Sequence, residues 1–344
     1  MNQSRGQRRS VYIAYTGGTI GMRPGSRGYR PEPGFLADQM SRLPVFADAR
    51  MPSYTVHEYA PLLDSSNMTP EDWVKIGEDI YDHYDRYDGF IVLHGTDTMA
   101  FSASALSFML QRLGKPVIFT GSQIPFMELR TDARENLVTS LLLASQHPLP
   151  EVSLFVGSRL LRANRSTKVS ANRFLAFDSP NYPPLGRAGV DLEIYHGRAR
   201  SRPQGDIAFR PVRDARVADL RLFPGITVDI LHRILDSPLQ GLVLHTYGSG
   251  NAPDDPAFLD TLREACDRGM VIVNCTQCLE GSVDMWGYAT GRALLDAGVV
   301  SGFDMTPEAA LTKLYWLLSL DHPVEEVRRL MQESLRGELT RPQA

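Results

Sequence analysis

The sequence predicts an α/β protein made of two α/β domains, with a larger N-terminal parallel-type sheet flanked by helices and a smaller C-terminal domain. Short apolar runs recur with helix-like segments between them, at 11–15, 90–93, 117–119, 152–156, 242–244 and 270–273. Runs that are apolar on both faces are typical of strands buried in a parallel sheet. A chain of 344 residues also exceeds what one hydrophobic core usually holds, which favours two domains.

The helices between these runs carry start and stop signals. Thr69 and Thr306 each precede a proline, so each can cap a helix whose first position is that proline. Another helix begins near Asp255 and is expected to end at Gly269, directly before the run at 270–273. The C-terminal third is therefore itself predicted to be α/β.

A break in this pattern marks the predicted domain boundary. Residues 196–206 are rich in Arg, Gly, Pro and Ser and show no apolar periodicity. We therefore predict an N-terminal domain at 1–195, a linker at 196–216 and a C-terminal domain at 217–344.

Composition restricts the class of partner. A net charge of -4 and a pI near 6.1 give no overall positive field that would attract nucleic acid or anionic lipid. The sequence has no apolar run long enough to cross a membrane, and the run after the basic N-terminus is too short for a signal peptide. Three cysteines, an odd number in a large chain, argue against a disulfide framework. We expect a soluble cytoplasmic protein that acts on a small molecule, without nucleic-acid or membrane partners.

Motifs for metals and common cofactors are missing from the sequence. The histidines lack HExxH spacing, and neither a GxSxG elbow, a phosphate-binding GxxxxGK[ST] loop nor a GxGxxG dinucleotide motif occurs. Cys275 and Cys278 form a lone CxxC, for which structural packing is the expected role. The sequence therefore predicts no metal and no cofactor.

Two loops follow predicted strands and carry candidate chemistry. Residues 16–21 read TGGTIG after the first strand, and residues 94–98 read HGTDT after the run at 90–93. Because ligands bind beyond the carboxyl ends of parallel strands, the two loops can face one cleft. Taken singly, the first is also explained by a tight strand-to-helix turn, and Asp97 in the second by a helix cap.

Together, the two loops resemble the signatures of the asparaginase/glutaminase family. The resemblance covers essentially the whole chain and extends to the segments at 121–125, 247–251 and 276–278, which are similar to those of its bacterial type I branch. It implies hydrolysis of L-asparagine to L-aspartate and ammonia through a threonine nucleophile and an acyl-enzyme intermediate, without a cofactor.

The resemblance also implies roles for individual residues. Thr19 is the nucleophile, and Tyr29 orients or deprotonates it, since a threonine hydroxyl is weakly nucleophilic without a neighbouring base. Thr96, Asp97 and Lys168 form a second catalytic group. The sequence does not decide which threonine acts in each half-reaction, or whether Lys168 is neutral, because burial and a nearby Asp97 act in opposite directions.

Substrate contacts follow from the same resemblance. Ser65 receives the α-carboxylate, Asp97 pairs with the α-ammonium, and Asp64 contributes through its backbone. Gly18 lets the backbone approach the ligand closely, and Thr96 completes the predicted binding set. On its own, the segment around Ser65 is more simply a loop that leads into a helix cap.

Some type I relatives carry a second, allosteric asparagine site, for which Thr167 and Cys278 are candidate contacts here. His245 stands where those relatives have an arginine. An imidazole cannot make the bidentate carboxylate contact of an arginine, so retention of this regulation is in doubt.

The family implies a homodimer or homotetramer.

Three rival functions stay open at this point. An enzyme that favours L-glutamine is the first, because one methylene discriminates asparagine from glutamine by only about 1–3 kcal/mol. A non-catalytic amino-acid sensor would need neither a nucleophile nor a base. An amidotransferase subunit would need a partner protein.

Overall fold

The structure, a computed structural model, describes residues 8–26, 28–287 and 289–341. The chain divides into two compact units, Met1–Arg210 and Pro211–Ala344. Each unit contains its own mainly parallel sheet and helices, so the predicted α/β fold class is confirmed. Within the described residues, none of the helices combines the length and apolar character that crossing a membrane requires.

The first unit contains most of the strands and four α-helices among its described residues. The strands are β1 (Ser10–Gly17), β2 (Met22–Gly25), β3 (Gly28–Pro31), β4 (Ser53–Leu63), β5 (Gly89–Leu93), β6 (Leu110–Gln111), β7 (Val117–Thr120), β8 (Val152–Val156), β9 (Arg159–Arg162), β10 (Thr167–Lys168), β11 (Phe177–Asp178), β12 (Gly186–Ala188), β13 (Leu192–Ile194) and β14 (Ala208–Phe209). The helices are α1 (Phe35–Arg42), α2 (Pro70–His83), α3 (Met99–Met109) and α4 (Ala133–Gln146). Strand β14 lies within the predicted linker and pairs with β6.

The main sheet of this unit has the order β13-β12-β9-β8-β7-β5-β1-β4. The five strands from β8 to β4 are parallel, as the sequence predicts, whereas β9, β12 and β13 add an antiparallel edge that the apolar runs do not reveal. These three edge strands are only 3 or 4 residues long, so each carries too short a pattern to identify it.

Burial on both faces explains the continuous apolar runs of β1 and β5. Val11, Ile13 and Tyr15 of β1 pack in one core cluster with Leu137 and Leu141 of α4. The alternate side chains of β1 are equally buried, and α2 contacts β1. A strand that is buried on both faces has apolar residues at successive positions of its sequence.

The strand order identifies where a ligand should bind. The chain leaves β1 to form β4 on one side of it, and then continues from β5 to β7 and β8 on the other side. The strand order therefore reverses between the neighbouring strands β1 and β5. In such sheets, ligands bind beyond the carboxyl ends of the two strands at which the order reverses.

The second unit contains a smaller parallel sheet in the order β15-β16-β17-β18. These strands are β15 (Val217–Arg221), β16 (Gly241–Thr246), β17 (Val271–Thr276) and β18 (Val300–Ser301). The helices are α5 (Val228–Leu235), α6 (Pro256–Asp267), α7 (Ala289–Asp296), α8 (Pro307–Leu318) and α9 (Val324–Met331).

The predicted helix ends are confirmed in both units. Asp72 accepts a hydrogen bond from the Thr69 N–H at 3.0 Å and so completes the start of α2. Thr306 Oγ1 accepts from the Ala309 N–H at 3.2 Å at the start of α8. Gly269, with φ of 96°, adopts the left-handed conformation after α6 that favours glycine.

A buried ion pair ties the C-terminal segment to the second unit. Lys313 Nζ lies 2.6 Å from Glu338 Oε1, and both side chains are fully buried. Glu338 also accepts hydrogen bonds from the N–H groups of Leu335 and Arg336, at 2.9 and 2.6 Å. The pair therefore fixes the chain after α9 against α8.

We expect Glu338→Gln to lower the free energy of unfolding by about 3–5 kcal/mol, because it leaves the Lys313 charge buried without a carboxylate. Urea unfolding measures this change. Asp321→Asn is the control, since the Arg213–Asp321 pair is 69% and 86% exposed and should contribute less than about 1 kcal/mol. Equal effects of the two substitutions would contradict a structural role for the buried pair.

Candidate active site

Close contact between two glycines brings the predicted catalytic loops together. A Cβ atom on Gly18 would lie 2.5 Å from the Gly95 nitrogen, and one on Gly95 would overlap the Ser65 hydroxyl. Gly18 also has φ of 88°, which a larger residue rarely adopts. The loops after β1, β4 and β5 therefore meet at the point where the strand order reverses. The backbones of Gly18 and Gly95 touch directly there, because neither residue has a side chain.

Hydrogen bonds hold this junction in place. Thr16 Oγ1 donates to the Leu93 carbonyl at 2.8 Å and joins the ends of β1 and β5. The Gly18 N–H donates to the Leu63 carbonyl at 3.3 Å, so it is already engaged in this structure. Gly18 therefore contributes close packing, and its predicted role in binding substrate stays a prediction.

Thr96, Asp97 and Lys168 form a connected group, in the combination that the sequence predicts. Lys168 Nζ donates to Thr96 Oγ1 at 2.9 Å and to Asp97 Oδ1 at 2.7 Å. The Asp97 side chain is 64% exposed, whereas that of Lys168 is only 20% exposed. Asp97 does not cap α3, because Thr98 occupies the cap position and Asp97 turns to Lys168. The alternative explanation of Asp97 as a helix cap is therefore wrong.

Gln123 is a further member of this group, to which the sequence assigns no role. Thr96 Oγ1 donates to Gln123 Oε1 at 3.3 Å, and Gln123 Nε2 donates to the Arg173 carbonyl at 3.2 Å. The buried Asp132 accepts from the backbone N–H of Gln123 at 3.0 Å and fixes the loop. The position of Gln123 just beyond β7, next to β5 in the sheet, is the signal that could have identified it.

Thr19 stands at the first position of a short 3-10 turn, Thr19–Gly21, directly after the glycines. The turn follows from Gly17 and Gly18, whose positive φ values of 137° and 88° reverse the chain after β1. Among residues 8–26, 28–287 and 289–341, no side chain hydrogen-bonds the Thr19 hydroxyl. The hydroxyl of Thr96, in contrast, accepts from Lys168 and donates to Gln123.

Tyr29 lies on the hairpin of β2 and β3, and its ring is half exposed. Its hydroxyl donates to Glu128 Oε1 at 2.8 Å rather than contacting Thr19 through a hydrogen bond. The hydrogen bond to this carboxylate raises the pKa of Tyr29. Glu128 was not predicted from the sequence, because its exposed neighbours Met127 and Leu129 form no pattern that would identify it.

Ser65 and Asp64 follow β4 and lie at the same junction. Ser65 is buried against Gly95, and its carbonyl accepts a hydrogen bond from Thr98 Oγ1 at 2.7 Å. Asp64 is exposed and caps the 3-10 turn that Ser65 begins, accepting from the Ser66 N–H at 3.0 Å. The segment thus leads into the predicted helix cap at Thr69, and it lies beside the loops that carry Thr19 and Thr96.

The candidate allosteric residues lie in different units. Thr167 belongs to β10 of the first unit, whereas His245 and Cys278 belong to the second. His245 is 7% exposed, and its Nε2 lies 2.8 Å from Asp219 Oδ2. Across the described parts of the chain, no group of three or more His, Cys, Asp or Glu side chains is placed to hold a metal ion.

His94 begins the predicted catalytic loop at 94–98 and hydrogen-bonds the backbone of that loop. Its ring is fully buried, and Nδ1 donates to the Gly95 carbonyl at 2.7 Å. Nε2 has no hydrogen-bond partner among the described residues. Burial lowers the pKa of His94 to about 4, so the ring is neutral with its proton on Nδ1. This hydrogen bond fixes the Gly95–Thr96 peptide.

We expect His94 to make the protein less stable as the pH falls. An unfolded histidine binds a proton below about pH 6.5, whereas folded His94 resists protonation until about pH 4. Between pH 7 and pH 5 this difference removes about 2 kcal/mol from the free energy of unfolding. His94→Asn keeps a donor for Gly95 but does not titrate, so urea unfolding of the variant should lack that loss. An equal loss in both proteins would contradict the assignment.

Family models match both units. The model described as "Asparaginase, N-terminal" matches residues 10–200, and that described as "Glutaminase/Asparaginase C-terminal domain" matches residues 216–331.

Individual proteins and solved structures are similar over nearly the whole chain. L-asparaginase 1 of Escherichia coli strain K12 is 52% identical over 334 residues, which cover 97% of this chain and 99% of that protein. The crystal structure of L-asparaginase I from Vibrio cholerae has a TM-score of 0.91 and 49% identity, covering 97% of this chain and all of that one. A Homo sapiens protein named 60 kDa lysophospholipase is 45% identical over 99% of this chain, which spans 63% of that longer protein. The chain therefore belongs to the asparaginase family, whose N-terminal and C-terminal domains it carries in order.

Proposed function

We propose that this chain is an L-asparaginase, which hydrolyses L-asparagine to L-aspartate and ammonia with Thr19 as the nucleophile. The names of the E. coli and V. cholerae relatives support this substrate. The observation that carries the choice of nucleophile is the difference between the two hydroxyls. The Thr96 hydroxyl already accepts from Lys168 and donates to Gln123, whereas the Thr19 hydroxyl is uncommitted within the described residues.

The proposed reaction has two steps. Thr19 Oγ1 attacks the side-chain amide carbon of asparagine, a C–O bond forms, and the C–N bond breaks as ammonia leaves with the hydroxyl proton. Water then attacks the resulting aspartyl ester, which releases aspartate and restores the Thr19 hydroxyl. Tyr29 is the group proposed to orient or deprotonate Thr19. Lys168 and Thr96 are the second group proposed to transfer protons.

The polar residues around the junction suit a small zwitterion. Asp97 uses one carboxylate oxygen for Lys168, and its exposed position leaves the other oxygen to accept from an α-ammonium group. Ser65, with the backbone of Asp64, is proposed to receive the α-carboxylate. Gly18, whose own N–H is engaged by the Leu63 carbonyl, is proposed to let the backbone approach the substrate closely. These polar side chains favour an amino acid as the substrate. They do not favour a lipid, which is the substrate class that the name of the Homo sapiens relative indicates.

We further propose a cytoplasmic homodimer or homotetramer that works without a cofactor. The described cysteines, Cys266, Cys275 and Cys278, are all free thiols, which agrees with a reducing compartment. Light scattering of the purified protein tests the oligomeric state, and a monomer that is fully active would contradict that part of the proposal.

We expect Thr19→Ala to lower kcat for ammonia release from L-asparagine by at least about 10⁴-fold, because the nucleophile is lost. Lys168→Met should lower kcat by about 10²–10⁴-fold, the usual contribution of a proton-transferring group. Lys75→Met is the matched control, since Lys75 is 65% exposed and pairs with Asp72 outside the junction. It should change kcat by less than about twofold.

Other outcomes would favour the rival functions. Substantial activity in Thr19→Ala would contradict Thr19 as the nucleophile and favour Thr96. Asparagine binding without ammonia release by the wild-type protein would favour a sensor. Faster release from L-glutamine would favour a glutaminase, and ammonia release that depends on an added partner protein would favour an amidotransferase subunit.

A further inference from the structure

A carboxylate of the loop between β7 and α4 contacts the hydroxyl of Tyr29. The distance from Tyr29 Oη to Glu128 Oε1 is 2.8 Å, although the two residues lie 99 positions apart in the sequence. The hydrogen bond thus joins the β2–β3 hairpin to a different loop of the first unit.

Glu128 is held by the turn that carries Thr19. The Phe126 N–H donates to the Ile20 carbonyl at 3.0 Å, and both of these side chains are buried in the same core cluster. The Glu128 N–H closes the following turn by donating to the Pro125 carbonyl at 3.0 Å. Two consecutive backbone hydrogen bonds, from Phe126 to Ile20 and from Glu128 to Pro125, therefore connect Glu128 to the Thr19–Gly21 turn.

Tyr29 lacks such support. Its side chain is 51% exposed, and β2 and β3 pair only with each other among the described strands. A two-stranded hairpin is marginally stable by itself. Strand β3 contacts the Thr19–Gly21 turn, so the strand that carries Tyr29 lies beside Thr19. The hydrogen bond to Glu128 is the contact that the Tyr29 hydroxyl makes among the described residues.

The direction of the hydrogen bond also matters chemically. When the Tyr29 hydroxyl donates a hydrogen bond to the Glu128 carboxylate, the lone pairs of the phenolic oxygen are left to accept a hydrogen bond from another hydroxyl. The same hydrogen bond raises the pKa of Tyr29, so the phenolic oxygen keeps its proton. A tyrosine held in this way can accept the Thr19 hydroxyl proton in a hydrogen bond and so orient the nucleophile.

We propose that Glu128 is a positioning residue for the reaction, which holds the Tyr29 hydroxyl at the Thr19 turn by accepting its hydrogen bond. This inference rests on the proposed function of Thr19 and Tyr29. Glu128 acts through Tyr29 and does not contact the substrate.

The test compares Glu128→Ala, Glu128→Gln, Tyr29→Phe and the double variant Tyr29→Phe/Glu128→Ala, with kcat and KM for L-asparagine measured for each. We expect Glu128→Ala to lower kcat by about 10–100-fold with little change in KM, because the hydroxyl is misplaced. Glu128→Gln should stay within about threefold of wild type, since its amide oxygen accepts the same hydrogen bond. In the Tyr29→Phe background, Glu128→Ala should have no further effect.

Glu193→Ala is the matched control. The Tyr195 hydroxyl donates to Glu193 Oε2 at 3.0 Å, so this variant removes another exposed tyrosine–glutamate contact, at the β13 edge of the sheet. It should leave kcat unchanged. A kcat of Glu128→Ala within twofold of wild type, independent effects of the Tyr29 and Glu128 changes, or a Glu128→Gln variant as impaired as Glu128→Ala would each overturn the proposal.

A measurement that does not depend on activity separates this inference from the proposed function. Hydrogen exchange of peptides covering 22–31 should be faster in Glu128→Ala than in wild type and Glu193→Ala, because the hairpin loses its contact with the loop that carries Glu128. Unchanged exchange would overturn the positioning role even in an active enzyme. If the wild-type protein releases no ammonia while exchange changes as expected, the attachment stands and the proposed function fails.

Discussion

The contact between the backbones of Gly18 and Gly95 is the constraint on which the candidate site depends. It lies where the sheet order reverses, so the fold brings the ends of β1 and β5 side by side and the two glycines let them touch. Ser65 packs against the other side of Gly95. Three loops that are distant in the sequence therefore share one junction, and a single methyl group at either glycine would separate them.

This junction gives the two threonines different surroundings. Thr96 is placed by a backbone that His94 fixes, and its hydroxyl is enclosed by Lys168 and Gln123. Thr19 follows Gly17 and Gly18, whose backbones pack against Leu63 and Gly95, and its hydroxyl has no hydrogen-bond partner among the described residues. The hydroxyl of Thr96 is thus part of a polar network, whereas that of Thr19 is not hydrogen-bonded within the described residues. This asymmetry is the physical basis for assigning the nucleophile to Thr19.

Much of this arrangement can be predicted from the sequence. The runs at 11–15 and 90–93 predict β1 and β5 because burial on both faces requires apolar side chains at every position. The helix starts at Thr69 and Thr306 depend on local hydrogen bonds, so local sequence is enough to find them. The meeting of Thr96, Asp97 and Lys168 came from a family resemblance, since no local pattern relates Lys168 to a loop 71 positions earlier.

Two physical reasons explain which features could not be predicted from the sequence. The edge strands β9, β12 and β13 are too short for a periodic pattern. Gln123 and Glu128 act through side-chain contacts over 27 and 99 positions, which depend on how separate loops pack. Such contacts arise only once the sheet has placed the loops, so three-dimensional structure is needed to find them.

The central claim is that Thr19 carries the acyl group, and trapping that intermediate tests it most directly. The protein would be mixed with L-asparagine, quenched in acid within milliseconds, digested and mapped by mass spectrometry. We predict an aspartyl ester on the peptide that contains Thr19 and none on the peptide that contains Thr96. An ester on Thr96 would contradict the account.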